Sequence, residues 1–468
     1  MWSNILDRIS FLSLFLVVVL LPAFFLPFTK IPVETSKGLL LVVGLAIAVV
    51  FYSVARFSDG KISLPRSHLV CSGFGIVLVF LLSAVFSSVR EVSLFGTILD
   101  IGTFYFIFAG FLLMFISSVM IKDSKSAMLL LFGFILSTLA VSVFQVFRFY
   151  FPEVLSLGVL GGKMDNLVGS WNSFGLLSGL SAVASLLVIE FFSLSRIAKL
   201  IFGLFILVSL FLVASVNFML VWELVGLVAL FIFIYKISFF SRNDTSDGER
   251  PQFPAFSFIV AMISLLFFMS GQFIGSYLPN HFSLSNTEVS PSFSSTLSVA
   301  KESLKENPLL GFGPNRFEEM WALYKPASLN NSIFWDVSFN SGSGLIPTLA
   351  STTGILGILS WLTFFVLFLY SGFKSLFGNS KNSMYREMLS FFVLALYLFV
   401  ASFFYSTGPV ILLLALSFTG VFVGLSVKGE KGEVVVSFLD DHRKSFFFIL
   451  SLVVVIVLSA AVTFKYIE

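Results

Sequence analysis

One cysteine, three histidines and 11% charged residues in a chain of 468 set the first limits. A single thiol, Cys71, excludes an internal disulfide framework, a zinc finger and an iron–sulfur cluster, and it reads as a small core residue within an apolar run. No run of basic residues is long enough to hold nucleic acid, and the net charge of +3 is an ordinary result of loop bias. Repeats, low-complexity tracts and a separate soluble domain are also missing. What is abundant is apolar: 57% hydrophobic residues and 62 phenylalanines, with a mean hydropathy of +1.02. That exceeds what a soluble core can hide, so the chain reads as a polytopic protein of the cytoplasmic (inner) membrane type.

Each crossing of a bilayer needs roughly 20 apolar residues. On that criterion the sequence predicts an all-α fold of about thirteen transmembrane helices. They fall at 9–28, 38–55, 68–87, 103–121, 126–149, 173–192, 198–216, 218–239, 256–275, 344–373, 387–406, 409–427 and 445–466. The run from Leu200 to Tyr235 is too long for one helix and reads as two, turning near Asn217. With the N-terminus in the cytoplasm, lysine and arginine divide about two to one in favour of the inner loops, as the positive-inside rule expects. The first run lacks a small-x-small cleavage site and contains Pro22 and Pro27, so it is expected to be a retained helix. Three parts follow: a helix bundle over 1–275, a long external segment over 276–343 and C-terminal helices over 344–468.

The external segment differs in composition from everything around it, and a long loop in a compact membrane fold is usually functional. Ser290 and Pro291 are expected to open a helix running to about Glu306, with Lys301 and Lys305 one turn apart on one face. Next comes Asn307-Pro308-Leu309-Leu310-Gly311-Phe312-Gly313-Pro314-Asn315-Arg316-Phe317. Downstream stand Phe339-Asn340-Ser341-Gly342-Ser343-Gly344-Leu345-Ile346-Pro347 and Thr353-Gly354-Ile355-Leu356-Gly357; upstream lies Gly169-Ser170-Trp171-Asn172-Ser173.

In order, spacing and topology these elements resemble the Pro-x-x-Gly-x-Gly loop, the His-Asn-x-x-Leu segment with its Gly-x-x-Gly helix, and the Gly-x-x-x-Asn element of the O-antigen ligase and polymerase superfamily. The resemblance implies a GT-C-like fold without metal or cofactor. It also implies transfer of a glycan from an undecaprenyl diphosphate carrier to a glycan or lipid acceptor at the outer face of the membrane, with membrane lipid as the other partner. Two departures are visible. The family's loop histidine would fall near Phe339-Asn340, where none stands; the external histidine is His281. Its Ser-Arg-Gly-like element would fall at Ser215-Val216-Asn217.

A diphosphate leaving group needs cations, and the acceptor hydroxyl needs a base. Arg316 is the first candidate clamp, with Lys301 and Lys305 beside it and the N–H groups of Gly311 and Gly313 as further anion contacts. Arg148, at the external end of a helix, and Lys163, in the next loop, are alternatives that also fit as interfacial anchors. Glu223 lies inside an apolar run, where a carboxylate is a functional candidate by default. Asp336 is the acid nearest the missing histidine and a candidate base. The resemblance adds Asn340 to the catalytic set and Asn172 and Asn217 to the substrate-binding set. Trp171, Trp321, Tyr324 and Trp335 are expected to stack on sugars or to sit at the bilayer interface. A lipid-linked glycan flippase and a catalytically silent glycan-lipid binding protein are the competing readings.

Overall fold

The structure, a computed structural model, describes residues 2–27, 31–96, 100–154, 156–240, 253–285, 288–378, 384–427 and 432–437, with isolated positions between 446 and 457. It is about 74% helical. Among the described residues, 10 helices are long and apolar enough to cross a membrane, or 11 if one bent pair counts as a span. The long helices are α1 (Trp2–Leu20), α2 (Val33–Asp59), α3 (His68–Phe86), then the five-residue α4 (Arg90–Leu94), α5 (Phe104–Met120), α6 (Ser124–Tyr150), α7 (Trp171–Phe191), α8 (Arg196–Val216), α9 (Met219–Tyr235) and α10 (Ala255–Ser270). The external segment contributes α11 (Phe293–Glu306) and α12 (Phe317–Tyr324); α13 (Leu345–Thr352), α14 (Gly354–Gly378), α15 (Tyr385–Phe404) and α16 (Pro409–Ser426) complete the bundle. The expected crossing at 445–466 lies, apart from isolated positions, outside the described residues.

Hydroxyl and carboxylate side chains set many of the helix starts by accepting the first free N–H groups. Asp123 accepts from Ser126 at 2.9 Å and Ser170 from Ser173 at 3.2 Å. The expected start at Ser290 is corrected by two residues, because Ser292 is the hydroxyl that reaches a free N–H, that of Ser295, at 3.1 Å. Asn217 adopts a left-handed conformation, φ 53°, and makes the expected turn between α8 and α9.

Helix α7 is wholly buried and α16 nearly so, with α15 beside them. These central helices carry small residues that let backbones approach, which is how helices associate where lipid is as apolar as the interface. At Gly420 a Cβ would collide with the Met114 carbonyl oxygen of α5. Cys71 is a correction: it is exposed on α3, not part of the core.

Three further features depart from the sequence reading. The run 256–275 does not continue straight; α10 ends at Gly271 (φ 52°) and the chain bends by 104° into a short piece ending at Phe282. The run 344–373 is two helices, broken at Thr353 and Gly354. And a small antiparallel ribbon is present, with β1 (Lys61–Pro65) paired to β2 (Glu433–Ser437) and Ser63 opposite Val435.

Charged pairs gather at the end of the bundle opposite the external segment. Lys236 meets Glu190 at 2.6 Å, and Glu190 also accepts from the Ser257 N–H at 3.2 Å. Glu190 is thereby a paired carboxylate joining α7, α9 and α10.

Candidate functional site

The break between α13 and α14 is where the glycine-rich loop docks. Gly354 has φ 65° and Gly311 φ 63°. A Cβ on Gly311 would lie 2.6 Å from the Thr352 carbonyl, and one on Gly354 2.6 Å from the Leu309 carbonyl oxygen. Only glycine meets both demands. The N–H groups freed at the start of α14 are then used: Ile355 donates to Pro308 at 2.9 Å and Leu356 to Leu309 at 3.2 Å. The first two motifs are therefore one hydrogen-bonded unit.

Beside this unit lies a cleft of about 200 Å³ with a mixed lining, in which polar groups stand among apolar side chains such as Phe80, Ile101, Leu349 and Leu412. The loop brings Asn315, the downstream motif brings Asn340, Ser341 and Thr348, and the ends of α15 and α16 bring Ser402, Ser406 and Thr407. Two carboxylates complete it: Glu34 from the first turn of α2, and Asp100 from the segment before α5. Asn315 Nδ2 donates to Asp100 Oδ2 at 3.0 Å. Ser406 Oγ donates to Ser341 Oγ at 2.7 Å across the cleft. The third motif borders the same place, since Gly169 sits against the Glu34 carboxylate and Ser173 Oγ accepts from the Gly408 N–H at 3.0 Å. The external segment adds Glu288, which accepts from the Trp171 N–H at 2.5 Å and from the Tyr405 hydroxyl at 2.8 Å.

Carboxylates, amides and hydroxyls without a lining lysine or arginine make an acceptor-rich cleft suited to neutral, hydroxyl-bearing ligands. Either carboxylate can take a proton from a bound hydroxyl. At about 200 Å³ the space is below the roughly 300 Å³ where sites for drug-sized ligands begin. It therefore suits a single ring better than an oligosaccharide.

Of the residues singled out by sequence, Asn340 lines the cleft. Asn172 adjoins it through a hydrogen bond to Tyr405. Arg316 is corrected from an open cation to a buried tie: Nε donates to Glu319 at 2.8 Å, and the terminal nitrogens reach Glu319, Ser88 and the Phe312 carbonyl. The N–H groups of Gly311 and Gly313 are likewise taken, by the carbonyls of Asn307 at 3.1 Å and Thr352 at 2.8 Å, and offer no anion contact. Lys305 pairs with Glu302 at 2.6 Å on the exposed side of α11, and Lys301 is exposed on the same helix. Neither lines the cleft.

Arg148 is fully buried and ties α6 to the carbonyls of Leu160 and Gly162, while Lys163 donates to the Phe282 carbonyl at 3.3 Å. Asn217 packs on Gly275. Asp336 is exposed away from the cleft, and Glu223 lies in a separate apolar groove between α9 and α10. Trp171 and Trp321 are buried inside the protein, so neither meets lipid or sugar. Tyr324 donates to Glu306 at 2.6 Å, and that bond, with some burial, pushes its phenol up to about 12. Trp335 remains exposed.

Sequence reasoning missed Glu34, Asp100, Glu288 and Tyr405. Glu34 in a first helical turn reads as an acid placed for the helix dipole, and Asp100 as a loop residue. The one signal open to a reader was that both acids lie on the side assigned to the external segment. No protein-family model matches the chain, and no curated protein matches it significantly.

Proposed function

We propose that the cleft is the acceptor site of a metal-independent glycosyltransferase of the O-antigen ligase or polymerase type, acting at the outer face of the cytoplasmic membrane on an undecaprenyl diphosphate-linked glycan. The observation that carries this reading is the convergence of the motif loops and two carboxylates on one cleft. Glu34 or Asp100 takes the acceptor hydroxyl proton, the acceptor oxygen bonds to the anomeric carbon, and the carbon–oxygen bond to the carrier breaks with its electron pair leaving on the diphosphate. Because the lining is anionic, the acceptor ring occupies the cleft and the diphosphate lies beyond it.

Release of undecaprenyl diphosphate by the purified protein, with and without acceptor, tests this. Glu34→Gln or Asp100→Asn, whichever removes the base, lowers release by about 100-fold or more. Release unchanged in both variants sinks the assignment of the base, and no release from several lipid-linked donors sinks the enzyme reading. The silent-binding alternative is favoured by one observation, the commitment of Arg316 to internal bonds. It requires donor binding without release.

A further inference from the structure

At the opposite end of the bundle from the cleft, where α2 and α5 finish, a second concavity of about 370 Å³ is lined by Arg8, Arg56, Lys122 and Asp7, with Asp59 and Glu433 bound to two of the cations from behind the lining. The three cations come from α1, α2 and the α5–α6 connection, so the fold and not one basic run assembles them. Arg56 is held by Asp7 and by Asp59 at 3.2 Å, and lies 5.2 Å from the centre of the Tyr52 ring. Its Nε is buried without a hydrogen-bond partner. Lys122 donates to Ser63 Oγ at 3.1 Å and meets Glu433 at 3.4 Å. Arg8 is exposed and makes no ion pair among the described residues.

Tyr52 also lines a neighbouring apolar groove of about 310 Å³ between α2, α3 and α5. Strand β1 separates the compartments as its alternation requires: Ile62 and Leu64 face the groove, Ser63 the charged concavity. Phe74, on the groove's outer wall, is exposed where lipid would lie. A polar compartment whose exposed cation Arg8 has no ion pair among the described residues, meeting an apolar groove at one tyrosine, has the form of an amphiphile's seat.

The geometry points to a binding site for an anionic phospholipid at this end of the bundle, with the phosphate among Arg8, Arg56 and Lys122 and an acyl chain in the groove beside Tyr52. The site is independent of the cleft and of the reaction assigned there. A free phosphate ester shares the headgroup chemistry, and only the groove favours the lipid.

The test uses the full chain in detergent, titrated with phosphatidylglycerol, phosphatidylcholine, glycerol phosphate and inorganic phosphate, with binding read by native mass spectrometry and thermal midpoint. Phosphatidylglycerol is expected to bind and raise the midpoint while phosphatidylcholine does not. Arg8→Gln weakens binding about fivefold, and with Lys122→Gln about thirtyfold, the scale of one or two basic residues at a charged membrane surface. Arg8 is exposed, so its variant stays folded and informative even if the Lys122 change loosens β2. Equal effects of the two lipids overturn the proposal, as does unchanged affinity in Arg8→Gln. Glycerol phosphate or inorganic phosphate binding as tightly as the lipid makes the site a free-phosphate site and overturns it too.

Discussion

Arg316 stands next to Asn315, whose amide reaches a cleft carboxylate, yet the two side chains serve different ends. The guanidinium is held between the end of α3, through Ser88, and the first turn of α12, through Glu319. Arg316→Ala leaves the Phe312 carbonyl and the Ser88 hydroxyl without their donor, which costs about 1–3 kcal/mol. A lowered thermal midpoint together with donor release falling only in proportion to folded protein is the expected result. Release abolished at full stability would return Arg316 to the diphosphate. A sequence shows that a cation is present in a motif; it does not show how many of its donors are already engaged. The same holds for Gly311 and Gly313, whose N–H groups were legible as donors while their acceptors were not.

The apolar helices were legible at the scale of elements because hydropathy alone fixes them, but two of their breaks were not. Run 344–373 is long enough for one span, and although Ser351-Thr352-Thr353-Gly354 interrupts its apolar side chains, these residues alone do not fix Gly354 in a left-handed conformation. The reason is tertiary: the loop's carbonyls accept the amides that a straight helix would keep for itself. Gly354→Ala is expected to cost about 1–3 kcal/mol in backbone strain, with the clash against Leu309 in addition. Gly75→Ala on α3, where a Cβ meets nothing within 4 Å, serves as its control and is expected to be neutral or stabilising by about 0.4–1 kcal/mol. Thermal midpoints of the two variants check both; equal midpoints would show that the break tolerates a side chain. The ribbon of β1 and β2 was illegible for a different reason, since Ser63 and Glu433 are 370 residues apart in sequence.

Across the whole molecule, the helix order and the paired ends agree with one alternation of the chain. Cleft residues Glu34 and Asp100 lie at helix starts, while Arg56 and Lys122 lie at the finishes of the same helices. The cleft itself was half legible: the motif loops were visible as a set, whereas the acids that face them come from distant helix ends. Two positions test the orientation in a Cys71→Ser background. Asn331→Cys is expected to react with an impermeant maleimide on intact cells, and Asn4→Cys only after permeabilisation; the reverse pattern would invert the protein in the membrane and remove the cleft from the outer face.

The stitching of the glycine-rich loop into the broken helix also has a mechanical meaning. Four backbone carbonyls and amides make loop, α13 and α14 a single rigid jaw. The facing stretch from Tyr405 to Gly408 is tied across by side chains alone, at Ser341, Glu288 and Ser173. The cleft is therefore held on one side by backbone bonds and on the other by bonds that each pass through a side-chain hydroxyl.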